Sequence, residues 1–391
     1  MAAFDPAAAT AAYMATLTPA QHARATAYTH GGEWLLLWGW LVGLLAFWLI
    51  LRLGVLTRLR TALQRLRPHP WRAVAACTAA FTVLDWLLEL PWSIYSTWWR
   101  EKGYGLTSQA FTGWFTENLI SLALQVIVAV LFFSVLYALM RRNTRLWWAW
   151  AGGVAAVFTV LLLVIAPVVI EPLFNHYTPA PPGPMRDTVV ALAQKVGVPS
   201  DKILIYDGSR QSNRYTANVA GLFGSARVAM SDVMFARNAD IAEVRGVVGH
   251  EMGHYVLHHG LWGSAAISIL FVLAAFLADR LFPFAARWMG ATGIATIADP
   301  AGLPVLMAIL ITLTLLATPI ANTLTRIQES QADSFSLEHA NEPDGLSKAL
   351  VKTIEYRASS PSDLEEFIFY DHPSVEHRVR KAMDWKATHP S

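Results

Sequence analysis

Charge is what this chain is short of. Only 15% of its 391 residues are Asp, Glu, Lys or Arg, against about a quarter in a soluble globular domain. With 54% hydrophobic residues, 16 Trp and a mean hydropathy of +0.38, it is too apolar to be a wholly soluble protein. Cysteine is nearly absent. Cys77, the single one, sits in an apolar run, which excludes an intrachain disulfide and a cysteine-based metal site. The net charge of +2 gives no support to a nucleic-acid partner. The first residues lack a basic n-region, which argues against a cleaved secretory signal, and no internal repeat is evident.

What is present is a series of long apolar runs. Stretches 34–56, 73–95, 118–140, 147–170, 262–282 and 303–324 are each long enough to cross about 30 Å of hydrocarbon at 1.5 Å per residue. Arg58, Arg60, Arg65, Arg67 and Arg72 follow the first, and Arg141, Arg142 and Arg145 follow the third. Asp85 and Glu89 interrupt the second; four residues apart, they share a face and must meet either another helix or a wet cavity serving substrate access. Pro319 is expected to kink the sixth. Residues 1–33 read as a polar, Ala-rich segment, one amphipathic helix capped near Thr18 and Pro19. Residues 96–117 read as interfacial, with Trp98, Trp99, Tyr104, Phe111, Trp114 and Phe115 suited to the membrane boundary. Pro179, Pro181, Pro182 and Pro184 mark a stiff linker. The organisation is thus 1–33, a four-span domain over 34–176, and a domain over 177–391 that carries the last two spans. Within the last, a helix is expected around 186–195 and strands at 202–206 and 226–230, with an extended or hairpin segment over 212–224.

The chemistry is concentrated in 241–257. Ile241, Val244, Val247 and Val248 repeat at helical spacing, with Glu243 and Arg245 outside that stripe. On this helix His250 and His254, four apart, point the same way and can grip one ion, and Glu251 leans beside it as a general base. Gly253 lets another piece of chain approach. A catalytic zinc needs three protein ligands and an open position. The third comes from Gln328-Glu329-Ser330-Gln331-Ala332-Asp333, just past the sixth span: Glu329 completes a His, His, Glu set, and Asp333, one turn on, can orient a ligating imidazole. The plain alternative is an exposed acidic pair on a solvated helix. His258, one turn past His254, reads as a helix-end residue, and His259 and His339 as solvent-exposed. Asn341-Glu342-Pro343-Asp344-Gly345 reads as a polar turn between helices.

The pairing of His250-Glu251-Met252-Gly253-His254 with Glu329-Ser330-Gln331-Ala332-Asp333 resembles the type I CAAX prenyl endopeptidases, integral-membrane zinc proteases acting on isoprenylated proteins. Leu90-Pro91-Trp92-Ser93 with Tyr95-Ser96-Thr97, Pro172-Leu173-Phe174-Asn175, and Asp371-His372-Pro373-Ser374 with Arg378 are similar to further motifs of that family, in the same order. The likeness runs over nearly the whole chain from about Trp34. It implies a mainly α polytopic bundle of about six spans with a zincin-like α+β catalytic domain and one Zn²⁺ per chain. His250, His254 and Glu329 would be the ligands, Glu251 the base, and His372 and Arg378 the groups that stabilise an oxyanion. The family's substrate-pairing edge strand corresponds here to Thr216-Ala217-Asn218-Val219-Ala220-Gly221-Leu222. Ala217, Asn218 and Val219 would therefore bind substrate, although the family's Asn and Tyr are replaced by Thr216 and Asn218. Six spans also differ from the seven of the eukaryotic members, and put both termini on one side.

Three functions compete at this point. One is C-terminal processing of lipid-modified proteins; a second is quality-control proteolysis of membrane proteins without a lipid requirement. The third is a transporter or scaffold with a structural zinc site, which would close all four positions on protein ligands. The partners expected are a peptide or protein substrate and membrane lipids. Ala, Arg and Trp usage points to a GC-rich bacterial source and hence to a bacterial inner membrane. The side of the site is left open: counting basic loops puts the catalytic part outside, whereas the eukaryotic members have theirs on the cytosolic side.

Overall fold

The computed structural model describes residues 4–66, 69–221 and 226–389. Arg67 and Leu222 lie outside them. Asp5 caps a short helix, Pro6–Met14. Thr18 then starts Pro19–Leu53 through a reciprocal capping box with Gln21, with Pro19 in the first turn. The single amphipathic helix expected over 1–33 is therefore two helices, and the second runs unbroken into the first span. Its exposed lower end is steadied by Arg100, whose guanidinium reaches the Tyr28 carbonyl and sits over the Tyr28 ring.

Among the described residues, six helices are long and apolar enough to cross a membrane: Pro19–Leu53, Pro70–Gly103, Phe111–Arg142, Trp147–Leu173, His259–Trp288 and Pro300–Ala340. They are longer than the apolar runs because a helix, once nucleated, continues until a cap or breaker stops it. The second passes Pro91 and a π-turn at Ile94–Trp99 before ending at Gly103, so residues 96–103 stay helical where an interfacial segment was expected. The interfacial aromatics cluster there, Phe111 stacking against Trp114 and Phe115 and meeting Trp98 edge-on. The last helix, Leu303–Ala340, continues for some twenty residues beyond Pro319 and carries Glu329 and Asp333 out of the apolar stretch. Among the described residues neither Asp85 nor Glu89 has a hydrogen-bond partner, and Asp85 Oδ1 is buried. Glu89 meets the first span helix at Gly43, where a Cβ would lie 3.2 Å from its Oε1.

The polar part is built on a four-stranded sheet of β1 (Tyr177–Pro179), β2 (Ile203–Tyr206), β3 (Ala217–Ala220) and β4 (Arg227–Ser231) in the order β1-β2-β4-β3. β2 and β4 are parallel and the outer pairs antiparallel. Both expected strands form within one residue of their predicted ends. The proline-rich linker is not wholly a linker: its first residue, Pro179, ends edge strand β1, where it needs no ladder N–H. Helices Pro184–Val196 and Ile241–Val256 cover the sheet, with Val189, Val228, Met230, Val248 and Met252 buried between them. Glu243, expected outside the apolar stripe, is buried and paired with Lys352 at 2.5 Å. The N-terminal helix Pro6–Met14 packs on the C-terminal helix Val375–Thr388, and Tyr13 donates to Asp344 at 2.8 Å.

Candidate metal centre

Two helices make the centre. The motif helix, Ile241–Val256, is capped by Asp240, which accepts from the Glu243 N–H. It crosses the sixth span helix where both present small residues. A Cβ on Gly253 would lie 3.1 Å from the Ala332 Cα, and one on Gly249 2.9 Å from the Ser336 hydroxyl. Ser336 in turn donates to the Gly246 carbonyl at 2.6 Å. The approach that Gly253 permits is what brings Glu329 to the histidines, across 75 residues of chain.

The three expected ligand side chains converge. His250 Nε2 lies 3.1 Å from His254 Nε2 and 3.2 Å from Glu329 Oε2, and His254 Nε2 lies 3.3 Å from Glu329 Oε1. Tetrahedral ligand atoms held ~2.0–2.1 Å from an ion are about 3.3 Å apart, so the spacing suits one small cation. Glu329 Oε2 is buried and accepts no hydrogen bond, an orphan that a cation would satisfy. The residues fit a metal.

Behind the three, the orienting groups are in place. Asp333 Oδ1 lies 2.9 Å from His250 Nδ1 and so takes its N–H, leaving the Nε2 lone pair facing the cluster. Burial opposes a charge on His250, but Asp333 and Glu329 outweigh it and push the ring up to about 9, so a metal must displace a proton here. Arg378 is buried and grips Asp333 with two bonds of 2.7 and 2.8 Å, its Nη2 remaining 3.8 Å from Glu329 Oε2. The expected oxyanion group is thus engaged first with Asp333. His372 reaches in from the loop before the last helix: Nε2 is 3.3 Å from Glu329 Oε2, while Asp371 holds Nδ1 at 2.8 Å. Glu251 faces a cavity of about 150 Å³ that His372, Arg378, Thr216 and Ala217 also line. Burial pushes its carboxyl above the ordinary glutamate value, though both imidazoles pull the other way.

One member of the centre escaped the sequence reading. His259, expected at the surface, is buried and sits with Nδ1 2.9 Å from His254 Nδ1, while its Nε2 lies 3.1 Å from Gln331 Oε1. His254 thereby has an orienting partner, as His250 has Asp333. The chain turns sharply at His258, in left-handed conformation at φ 55°, and this turn swings His259 back under the helix. Helical spacing alone cannot reveal it. His258 itself is exposed at the helix end, as expected, and His339 is half-buried and stacked on Phe335.

The expected binding residues are on β3, which pairs only on one side, with β4; its other edge is free among the described residues. Ala217 and Val219 pack toward the core while Asn218 alternates away, its Oδ1 buried without a partner. Residues 222–225, which follow β3, lie outside the described residues.

Known proteins share both halves of this chain. The family described as "CAAX prenyl protease N-terminal, five membrane helices" matches residues 6–176, where this chain has four long apolar helices among the described residues, and "Peptidase family M48" matches 179–386. An uncharacterized metalloprotease of Bacillus subtilis, YhfN, is 25% identical over 94% of this chain and 86% of its own. A CAAX prenyl protease 1 homolog of Arabidopsis thaliana is 27% identical over 76% of this chain and 71% of its own. The crystal structure of Ste24p from S. mikatae has the same fold, with a TM-score of 0.69 and 24% identity, covering 86% of this chain and 80% of that one. With its motif helix, its distant carboxylate and its bundle of apolar helices all accounted for, the chain belongs to peptidase family M48, as a multi-pass membrane metalloendopeptidase of the CAAX prenyl protease type.

Proposed function

We propose that the protein is a zinc endopeptidase whose ion is held by His250, His254 and Glu329. The observation that carries the reading is the convergence of these three side chains at the spacing of a single cation, with an orphaned Glu329 oxygen among them. Zinc, when bound, supplies a Lewis acid that polarises water and carbonyl. Glu251, lining the same cavity, takes the proton and returns it to the leaving amine. His372 presents Nε2 where negative charge develops, oriented by Asp371. Arg378 adds positive charge to the same place and holds Asp333 in register. The peptide lies extended along the free edge of β3, paired by main chain at Ala217, Asn218 and Val219; such pairing needs no particular side chain, so it tolerates the departures at Thr216 and Asn218.

For substrate we favour C-terminal processing of lipid-modified proteins in a bacterial inner membrane, on the likeness to proteins named CAAX prenyl proteases. Quality-control cleavage of membrane proteins is the second reading, favoured by the likeness, over 94% of this chain, to a bacterial metalloprotease. Paired assays of prenylated and unprenylated copies of one peptide separate them. A lipid-dependent rate supports the first, and equal rates the second. The enzyme reading itself is tested by Glu251→Gln with metal counted: the ion should stay bound while cleavage falls by about 10²–10⁴. Equal cleavage by both forms would overturn it.

A further inference from the structure

A second cluster with the chemistry of a cation site lies apart from the first. His30 and Glu33, one turn apart near the start of the first span helix, face Glu365 on helix Asp363–Phe369. One ligand atom from each lies within 4.8 Å of the others, and His30 Nε2 is 3.3 Å from Glu365 Oε1. Glu365 spends its other oxygen on its own helix, accepting the Ser362 N–H at 3.4 Å. Its Oε1 and Glu33 Oε1 are both buried and accept no hydrogen bond. Among the described residues, no Lys or Arg pairs with either carboxylate, so two acids face one another with a single imidazole between them. Beside them Tyr370, 8% exposed, has a buried hydroxyl with no partner. Tyr370 and Glu33 line one cavity of about 300 Å³, whose wall continues to Asp371 and His372.

We propose that His30, Glu33 and Glu365 bind a second divalent cation, which clamps the first span helix to the segment carrying His372. One imidazole and two carboxylates are a borderline donor set that takes zinc or manganese in preference to calcium. The cation neutralises the facing carboxylates, and water on it can satisfy the Tyr370 hydroxyl. Tyr370, Asp371 and His372 follow Glu365 by five to seven residues, so a tether at Glu365 restricts where His372 sits. This last consequence rests on the role given to His372 above; the cation site itself does not.

The test counts ions. The full chain in detergent is dialysed to equilibrium against zinc, and bound metal is measured for wild type, the double variant E33Q/E365Q, His30→Ala and Glu329→Gln. Wild type should hold two ions and E33Q/E365Q one, with the zinc-dependent rise in melting temperature reduced. His30→Ala changes a side chain that is 53% exposed, and should lose the same ion without loss of fold. Glu329→Gln should lose the other ion and keep this one. A wild type holding one ion overturns the proposal, as does equal loading of wild type and both cluster variants; Glu33 and Glu365 would then share a proton instead. If Glu329→Gln alone retains both ions, the catalytic assignment fails and the second site stands.

Discussion

His259 shows how a single side chain can belong to a centre that its neighbours in sequence do not announce. It meets His254 at Nδ1, away from the Nε2 that faces Glu329, and Gln331 on its other side, so its part would be to hold the second imidazole in one tautomer. Groups in that position usually cost 10–100-fold in metal affinity when lost. His259→Ala should therefore weaken zinc binding by about that factor, read by competition with a chelator, with Gln331→Ala having a smaller effect. Saturating zinc should restore most of the cleavage rate, because neither residue lines the cavity that Glu251 faces. The residues that sequence did disclose, His250, Glu251 and His254, are those whose relation is local and set by the pitch of one helix. Glu329 and Asp333 were legible for the same reason, as two positions one turn apart on another helix. Arg378 was named as an oxyanion group on the family likeness, and its grip on Asp333 could come only from the packed structure.

At the scale of elements, the centre depends on two helices crossing closely, and the glycines mark where. A third helix, Pro343–Lys352, comes closer still: a Cβ on its Gly345 would lie 2.2 Å from the Ala242 carbonyl oxygen, at the foot of the motif helix. Backbone cannot yield as a side-chain tip does, so Gly345→Ala should destabilise by about 1–3 kcal/mol. Thermal melts of metal-loaded protein check this, and an unchanged melting temperature would show that the two helices can part without cost. The sequence located nearly every element but missed several joins. Thr18 and Pro19 signalled a helix start correctly, yet not that this helix would continue into the first span. Hydropathy ends where polar residues begin, while a helix ends only where its hydrogen bonding is broken. Asp85 and Glu89 were read as facing either another helix or a wet cavity, and neither finds a hydrogen-bond partner among the described residues; which side chains face them depends on how the spans rotate against each other.

For the whole molecule, the basic helix after the first span, Val55–Leu66, lies on one side of the bundle and the catalytic part on the other. Arg60 pairs with Asp299, and Arg52 packs on Gly290, both in the connection between the fifth and sixth spans. An even number of crossings returns the chain to the side on which it began, which lets the N-terminal helix dock on the C-terminal one. Reporters placed after Arg58 and at the C-terminus should accordingly read opposite sides of the membrane. The same side for both would remove the six-span arrangement and the site built on it.

Sequence by itself determined the solvent each stretch would meet, the helices that would cross, and the motif around which a metal could gather, because composition and helical pitch act over a few residues at a time. Tertiary structure alone decided that Glu329 meets the histidines, that His259 turns inward, and that Glu33 faces Glu365 across more than three hundred residues. Those meetings depend on how closely helices can pack, and closeness is a property of two surfaces together.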